Sequence, residues 1–157
     1  MAQNDLPPCF IFIDKEGRWF HKGAEMLHRE FIRLFYEHME MDASGRCVIS
    51  WGGDRCYVEL EDTPFVIRGV RFELREGEGL SRVILYLNDD TREALAAETL
   101  YIGADNVLYA TVKQGAFPAR FLRPAYYQLA QYVEEENDTY VLPLKGRKYV
   151  IRPEATR

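Results

Sequence analysis

Three acids fall within four positions in the stretch ELEDTPF, residues 59 to 65, and a Thr63-Pro64 step follows them. Carboxylates placed so close together serve either general acid–base chemistry or the end of a strand. In CYVELED the apolar residues Cys56, Val58 and Leu60 alternate with Tyr57, Glu59 and Glu61, so both glutamates fall on the polar face of a strand. Asp62 breaks that alternation by following Leu60 toward the buried side. Two readings of Asp62 stand together. As a turn residue it accepts backbone N–H groups and leads the chain out of the sheet; as a ligand or catalytic carboxylate it faces a cleft.

Other chemistries find less support. His21, His28 and His38 have neither HxH nor HxxxH spacing, and no cysteine pair joins them, so no metal is expected. His38 continues an apolar stripe and reads as a packed histidine. No GxSxG, P-loop or GxGxxG motif is present, which leaves no nucleophile elbow and no phosphate cradle, and no cofactor is expected. The basic residues Lys145, Arg147, Lys148 and Arg152, with Arg120 and Arg123, either hold an anion near a helix N-terminus or face the run Glu134-Glu135-Glu136.

The elements that must position these residues are legible as hairpins and two helices. IFIDKEGRWF reads as strand, turn and strand, with Gly17 supplying the positive φ. In EMLHREFIRLFYEHME the residues Leu27, Phe31, Leu34, Phe35 and His38 recur at threes and fours, which predicts an amphipathic helix. Glu25 to Arg29 and Arg33 to Glu37 are i,i+4 pairs on its wet face. RCVISWGGDRCYVEL predicts a hairpin around Gly52-Gly53-Asp54. Toward the C-terminus TLYIGADNVLYATV is again strand, turn and strand. A helix then starts at Pro124 with the stripe Leu122, Tyr126, Leu129 and Val133, and TYVLPLKGRKYVIRP closes the chain as a hairpin. Between the two ends, PFVIRGVRFELREGEGLSRVILYLN is a pair of strands, and residues 90–98 are a short helix or an irregular link.

The order hairpin, helix, hairpin occurs at both ends. Gly23-Ala24 and Gly115-Ala116, Leu34-Phe35 and Tyr126-Tyr127, and Tyr57-Val58 and Tyr149-Val150 are each 92 positions apart, the signature of either an internal repeat or two coincidentally similar units. The expected class is therefore α+β, with two ββαββ repeats and a central β-hairpin, forming antiparallel small sheets or barrel-like halves. The segments are 9–60 for the first repeat, 61–99 for the central strands and link, and 100–152 for the second repeat.

With 157 residues, 47% apolar, 13% aromatic and 29% charged, the composition is that of a soluble globular chain. Apolar runs stay strand-sized, so no membrane span is expected. The polar opening MAQNDLPP lacks the features of a secretory signal, which predicts a cytoplasmic location. Cys9, Cys47 and Cys56 are odd in number with no CxxC spacing and read as reduced thiols. The net charge of −5 argues against nucleic-acid binding.

The chain resembles a bacterial family known only as domain of unknown function 1285. The resemblance rests on GRWFHKG, REFIRLF, VELEDTPF and FLRPAYYQL, of which the Glu61-Asp62-Thr63-Pro64-Phe65 element is the most specific. It implies a fold of repeated α+β motifs and a part in signal transduction, and it implies no catalytic residues. Trp19, Asp62, Pro64, Phe65, Arg123 and Tyr127 coincide with family-like positions. Two functions follow. The first is a non-catalytic module binding a small molecule or a protein partner, with Trp19, His28, Asp62, Arg123 and Tyr127 as candidate ligand contacts. The second is a hydrolase using Asp62 with His28 and Arg123. The lack of an assembled catalytic set favours the module.

Overall fold

Two stretches of one pattern, Asp14-Lys15-Glu16-Gly17-Arg18 and Asp42-Ala43-Ser44-Gly45-Arg46, shape the N-terminal half of a computed structural model that describes residues 6–153. In the first, Asp14 Oδ1 accepts the backbone N–H groups of Glu16 and Arg18 at 3.0 and 2.9 Å, and Arg18 Nε donates to Oδ2. In the second, Asp42 does the same with Ser44, at 3.0 Å, and with Arg46, at 2.8 Å. The N–H of Arg46 and the Ser44 hydroxyl hold the Asp42 carboxyl down at about 2. Gly17 takes φ +83°, and a Cβ there would meet Val66 Cγ2 at 2.5 Å, so the position excludes a side chain.

The first loop joins β1 (Pro8–Ile13) to β2 (Trp19–His21), and the second joins β4 (Met39–Met41) to β5 (Cys47–Trp51). With β3 (Ala24–Glu25) and β6 (Asp54–Leu60) these strands form one sheet in the order β3-β2-β1-β6-β5-β4, and helix α1 (Arg29–Glu37) links its two halves. The second sheet begins with β7 (Phe65–Arg75), β8 (Gly79–Leu87) and β9 (Arg92–Ala94). It continues with β10 (Tyr101–Ile102), β11 (Leu108–Val112) and β12 (Phe117–Phe121). After helix α2 (Arg123–Ala130) come β13 (Glu134–Glu136), β14 (Thr139–Leu144) and β15 (Arg147–Pro153), giving the order β13-β14-β15-β10-β11-β12-β7-β8-β9.

The architecture is α+β, but its sheets are mixed and neither closes. The expectation of antiparallel small sheets or barrel-like halves is corrected by three parallel pairs, β1 with β6, β10 with β15 and β12 with β7. Turn chemistry specifies neighbouring strands; it carries no record of a first strand returning beside a last one across a helix. The block from β1 to β6 and the block from β10 to β15 share their strand order. In the hairpins that end them, Trp51 pairs with Asp54 and Leu144 with Arg147, so 51 to 144 and 54 to 147 are both 93 apart. The spacing of 92 is therefore one residue out of register here. Val58 and Ile151, 93 apart, are both buried, whereas Val150 is exposed; a slip of one residue exchanges the faces of a strand.

Both helices are shorter than their patterns. Leu27 precedes α1 and Phe31 lies on its outer side, and they are 75% and 55% exposed, while Ile32 and Tyr36 are buried. His38 is exposed at the C-terminal cap, its ring 4.6 Å from Trp51, so it is no packed core histidine. Glu25 belongs to β3 and forms no helical pair with Arg29, which instead donates to Asn88 O at 2.6 Å and pairs with Asp90. Helix α2 buries Ala125 and Leu129 but stops before Val133. Within residues 90–98 the chain forms strand β9 on β8 and a turn over Ala97–Thr99.

The cysteine reading is also corrected. Cys9 and Cys56 form a disulfide across the parallel β1–β6 pair, with Cα atoms 5.0 Å apart, and Cys47 is the free, buried thiol, pushed up to about 12 by burial. An odd count without CxxC spacing cannot reveal two cysteines that only a parallel pairing brings together. One hydrophobic cluster runs from Ile13 and Trp19 through Phe65 and Leu85 to Leu129 and Leu142, joining the two blocks. At their junction the Tyr36 hydroxyl accepts from Trp19 Nε1 at 3.0 Å and Asn88 Nδ2 at 2.7 Å, and donates to Pro64 O at 2.6 Å.

Two outcomes follow from this packing. Tyr36→Phe should destabilise the fold by about 1 to 3 kcal/mol in urea melts, because three buried polar groups lose a partner. A 47-residue separation across the disulfide predicts stabilisation of about 4 kcal/mol on the chain-entropy scale. Reductant should thus lower the melting temperature, and the Cys9→Ser/Cys56→Ser protein should melt where reduced wild type does, with no further response to reductant.

Candidate functional site

The chain leaves β6 at Leu60 and enters β7 at Phe65, and Thr63 makes that crossing. Its hydroxyl donates to Phe65 O at 2.6 Å and accepts the Arg120 N–H at 3.2 Å, which ties the turn to β12. The side-chain bonds to backbone that hold this turn, expected of Asp62, are made by Thr63. Asp62 Oδ2 instead accepts from Tyr109 Oη and from Arg120 Nη1, each at 2.7 Å. Register explains the meeting, since Tyr109 on β11 pairs directly with Arg120 on β12. Along β12 the residues Phe117, Ala119 and Phe121 point into the core, which leaves Arg120 on the opposite, half-buried face.

Burial, reinforced by the Asp62 carboxylate, pushes the Tyr109 phenol well above its ordinary value. Burial opposes the charge of Arg120, but the hydrogen bond and charge of Asp62 outweigh it and raise the guanidinium pKa. Tyr109 is thus held as a hydrogen-bond donor to Asp62. Its ring stacks on Tyr101 with centroids 5.0 Å apart, which fixes the hydroxyl toward Asp62.

These three residues line a cleft of about 900 Å³ between the Asp14–Arg18 loop, the segment after β10 and the start of α2. Lys15, Glu16 and Glu61 lie on its N-terminal side, and Arg123, Tyr126 and Tyr127 on its helix side. Among the described residues the side chains of Lys15 and Arg123 form no ion pair, whereas Arg120 is paired with Asp62. Tyr127 is 62% exposed, with its ring edge-on to Tyr126 at 5.5 Å. Leu122 offers no side-chain cap, so the first N–H groups of α2 have no capping oxygen.

Asp62, Arg123 and Tyr127, three of the five residues singled out in the sequence, thus meet in one cleft. Trp19 does not join them; it is 1% exposed and packs against Tyr36 in the core. His28 also lies elsewhere, exposed ahead of α1 with its ring 5.4 Å from Phe31, and it does not line the cleft. The trio Asp62, His28 and Arg123 is therefore not assembled. Tyr109 and Lys15 escaped the sequence reading, and Arg120 entered it only as part of a basic cluster. Of that cluster Lys148 pairs with Glu136, and Arg147 lies over the Tyr149 ring.

Mixed sheets and two helices define an α+β fold shared with solved structures. It is the fold of DUF1285 family proteins. The protein of that family from Silicibacter pomeroyi DSS-3 superposes with a TM-score of 0.77 at 16% identity, over 94% of this chain and 81% of its own. The one from Shewanella baltica OS155 gives 0.62 at 19% identity, over 79% of this chain and 91% of its own. No protein-family model matches the chain, and no curated protein matches it significantly.

The Asp62 cluster makes a measurable prediction. Asp62→Ala and Arg120→Ala should each destabilise, and their double-mutant cycle in urea should show a coupling of about 0.5 to 3 kcal/mol. A raised phenol pKa stabilises fully below the unfolded value of about 10 and is lost as pH rises past it. Wild type should therefore lose stability above about pH 10, and Tyr109→Phe should lose it less steeply in melts taken across that range.

Proposed function

We propose that the protein is a non-catalytic binding module that takes a small polar molecule in the cleft around Asp62. The observation that carries this reading is the pair of cations left without a carboxylate partner among the described residues, Lys15 and Arg123, in a concavity that also presents the exposed Tyr127 ring. Arg123 at the start of α2 meets an anionic group, which the uncapped helix end also favours. Tyr127 covers an apolar or planar part of the same ligand. The neutralised Arg120–Asp62 pair, held by Tyr109, forms a rigid wall.

The rival hydrolase reading needs a histidine beside Asp62, and none lines the cleft. The shared strand order of the two blocks supports an internal repeat whose units sit at 9–60 and 100–152, with the central strands added to the second unit. In such a molecule the cleft uses the loop after β1 from the first unit and α2 from the second, so occupancy bears on how the units meet. That is the form a part in signal transduction would take here.

Thermal-shift screening against inorganic phosphate, nucleotides and amino acids, followed by calorimetry on hits, tests the reading. A ligand should raise the melting temperature of wild type, and Arg123→Ala should weaken its binding at least tenfold while leaving the fold intact. Turnover of a hydrolase substrate panel that disappears in a folded Asp62→Asn variant would overturn the module in favour of an enzyme.

A further inference from the structure

A second concavity, of about 700 Å³, opens on the first sheet and shares no lining residue with the cleft. Its floor is Ile11 and Ile49, 5% and 3% exposed. Phe35 and the Cys9–Cys56 disulfide form half-buried walls. The exposed lining is different in kind, with His21 at the end of β2, Trp51 at the end of β5, and Asp54 and Arg55 at the start of β6. Arg55 Nη2 pairs with Glu40 at 3.0 Å, which leaves further guanidinium N–H groups to donate. His21 makes no side-chain hydrogen bond among the described residues.

We infer that this pocket is a ligand site for an amphiphilic acid, whose acyl or aryl body lies on Ile11, Ile49 and Phe35 and whose carboxylate meets Arg55 and His21 at the rim. Small-molecule sites have this make-up, a mostly apolar concavity of roughly 300 to 1,000 Å³ with a few polar groups that orient the ligand. Each apolar surface covered is removed from water, which favours binding in proportion to area. The rim selects the head group. An alcohol forgoes the charge-assisted bond that a carboxylate makes with the remaining guanidinium N–H groups of Arg55, and an amine tests the opposite choice, an ammonium on Asp54. The disulfide contributes preorganisation, because a wall covalently tied across β1 and β6 needs no ordering when the ligand arrives.

Calorimetric titration of the oxidised 157-residue chain with decanoate, decanol and decylamine tests the site. Saturable binding of one decanoate per chain is expected, tighter than either other probe. Arg55→Ala, on the exposed rim, should weaken decanoate at least tenfold, and Met26→Trp, at a half-buried lining position where the larger ring fills the pocket, should abolish binding. Glu76→Ala, in the distant turn between β7 and β8, should leave it unchanged. Failure of decanoate to saturate, or equal or tighter binding of decylamine, would overturn the assignment. So would decanoate binding that survives Arg55→Ala in a protein whose circular dichroism is that of wild type.

Discussion

One hydroxyl group constrains how the two blocks of this molecule meet. Tyr36 reaches from α1 into the buried core, where its oxygen serves Trp19, Asn88 and the Pro64 carbonyl together. Asn88 spends its remaining capacity on Gly17 O and Val66 N–H, so the node touches the first loop, the first helix and the strands of the second sheet. Such a network is stabilising only when every member is satisfied. That requirement fixes the approach of Gly17 to Val66, the rotation of α1 about its axis and the path of the chain through Pro64.

The rotation of α1 has consequences at both concavities. With Tyr36 inward, Phe35 turns toward the first sheet and becomes a wall of the apolar pocket, while Phe31 is left outside. With Pro64 held, Thr63 is placed to bridge Phe65 and Arg120, and Asp62 projects toward β11 and β12. The polar cleft and the apolar pocket are thus set by opposite ends of one packed junction.

Local chemistry was the legible part of this chain. The Asp14–Gly17 turn, the Gly52-Gly53 hairpin and the two helices follow from residues within a few positions of one another. Phase and partnership were not legible. The expected stripe of Leu27, Phe31, Leu34, Phe35 and His38 overlaps one of Ile32, Phe35 and Tyr36 at Phe35 alone, and hydrophobicity cannot choose between them, because the choice is made by the Tyr36 hydrogen bonds. Asp62 was identifiable as a residue out of pattern, but its partners lie 47 and 58 positions away and are chosen by the β11–β12 register. The disulfide was hidden for a related reason, since only the parallel β1–β6 pairing makes Cys9 and Cys56 neighbours.

One outer strand of the nine-stranded sheet is the three-residue run Glu134–Glu136. An edge strand offers unpaired backbone groups to any other extended chain, and a row of like charges makes a second copy of itself a poor partner. Brevity and charge here work together, with Lys148 neutralising only one of the three carboxylates. Three adjacent glutamates on so short a border thus disfavour the edge-to-edge pairing that an open sheet invites.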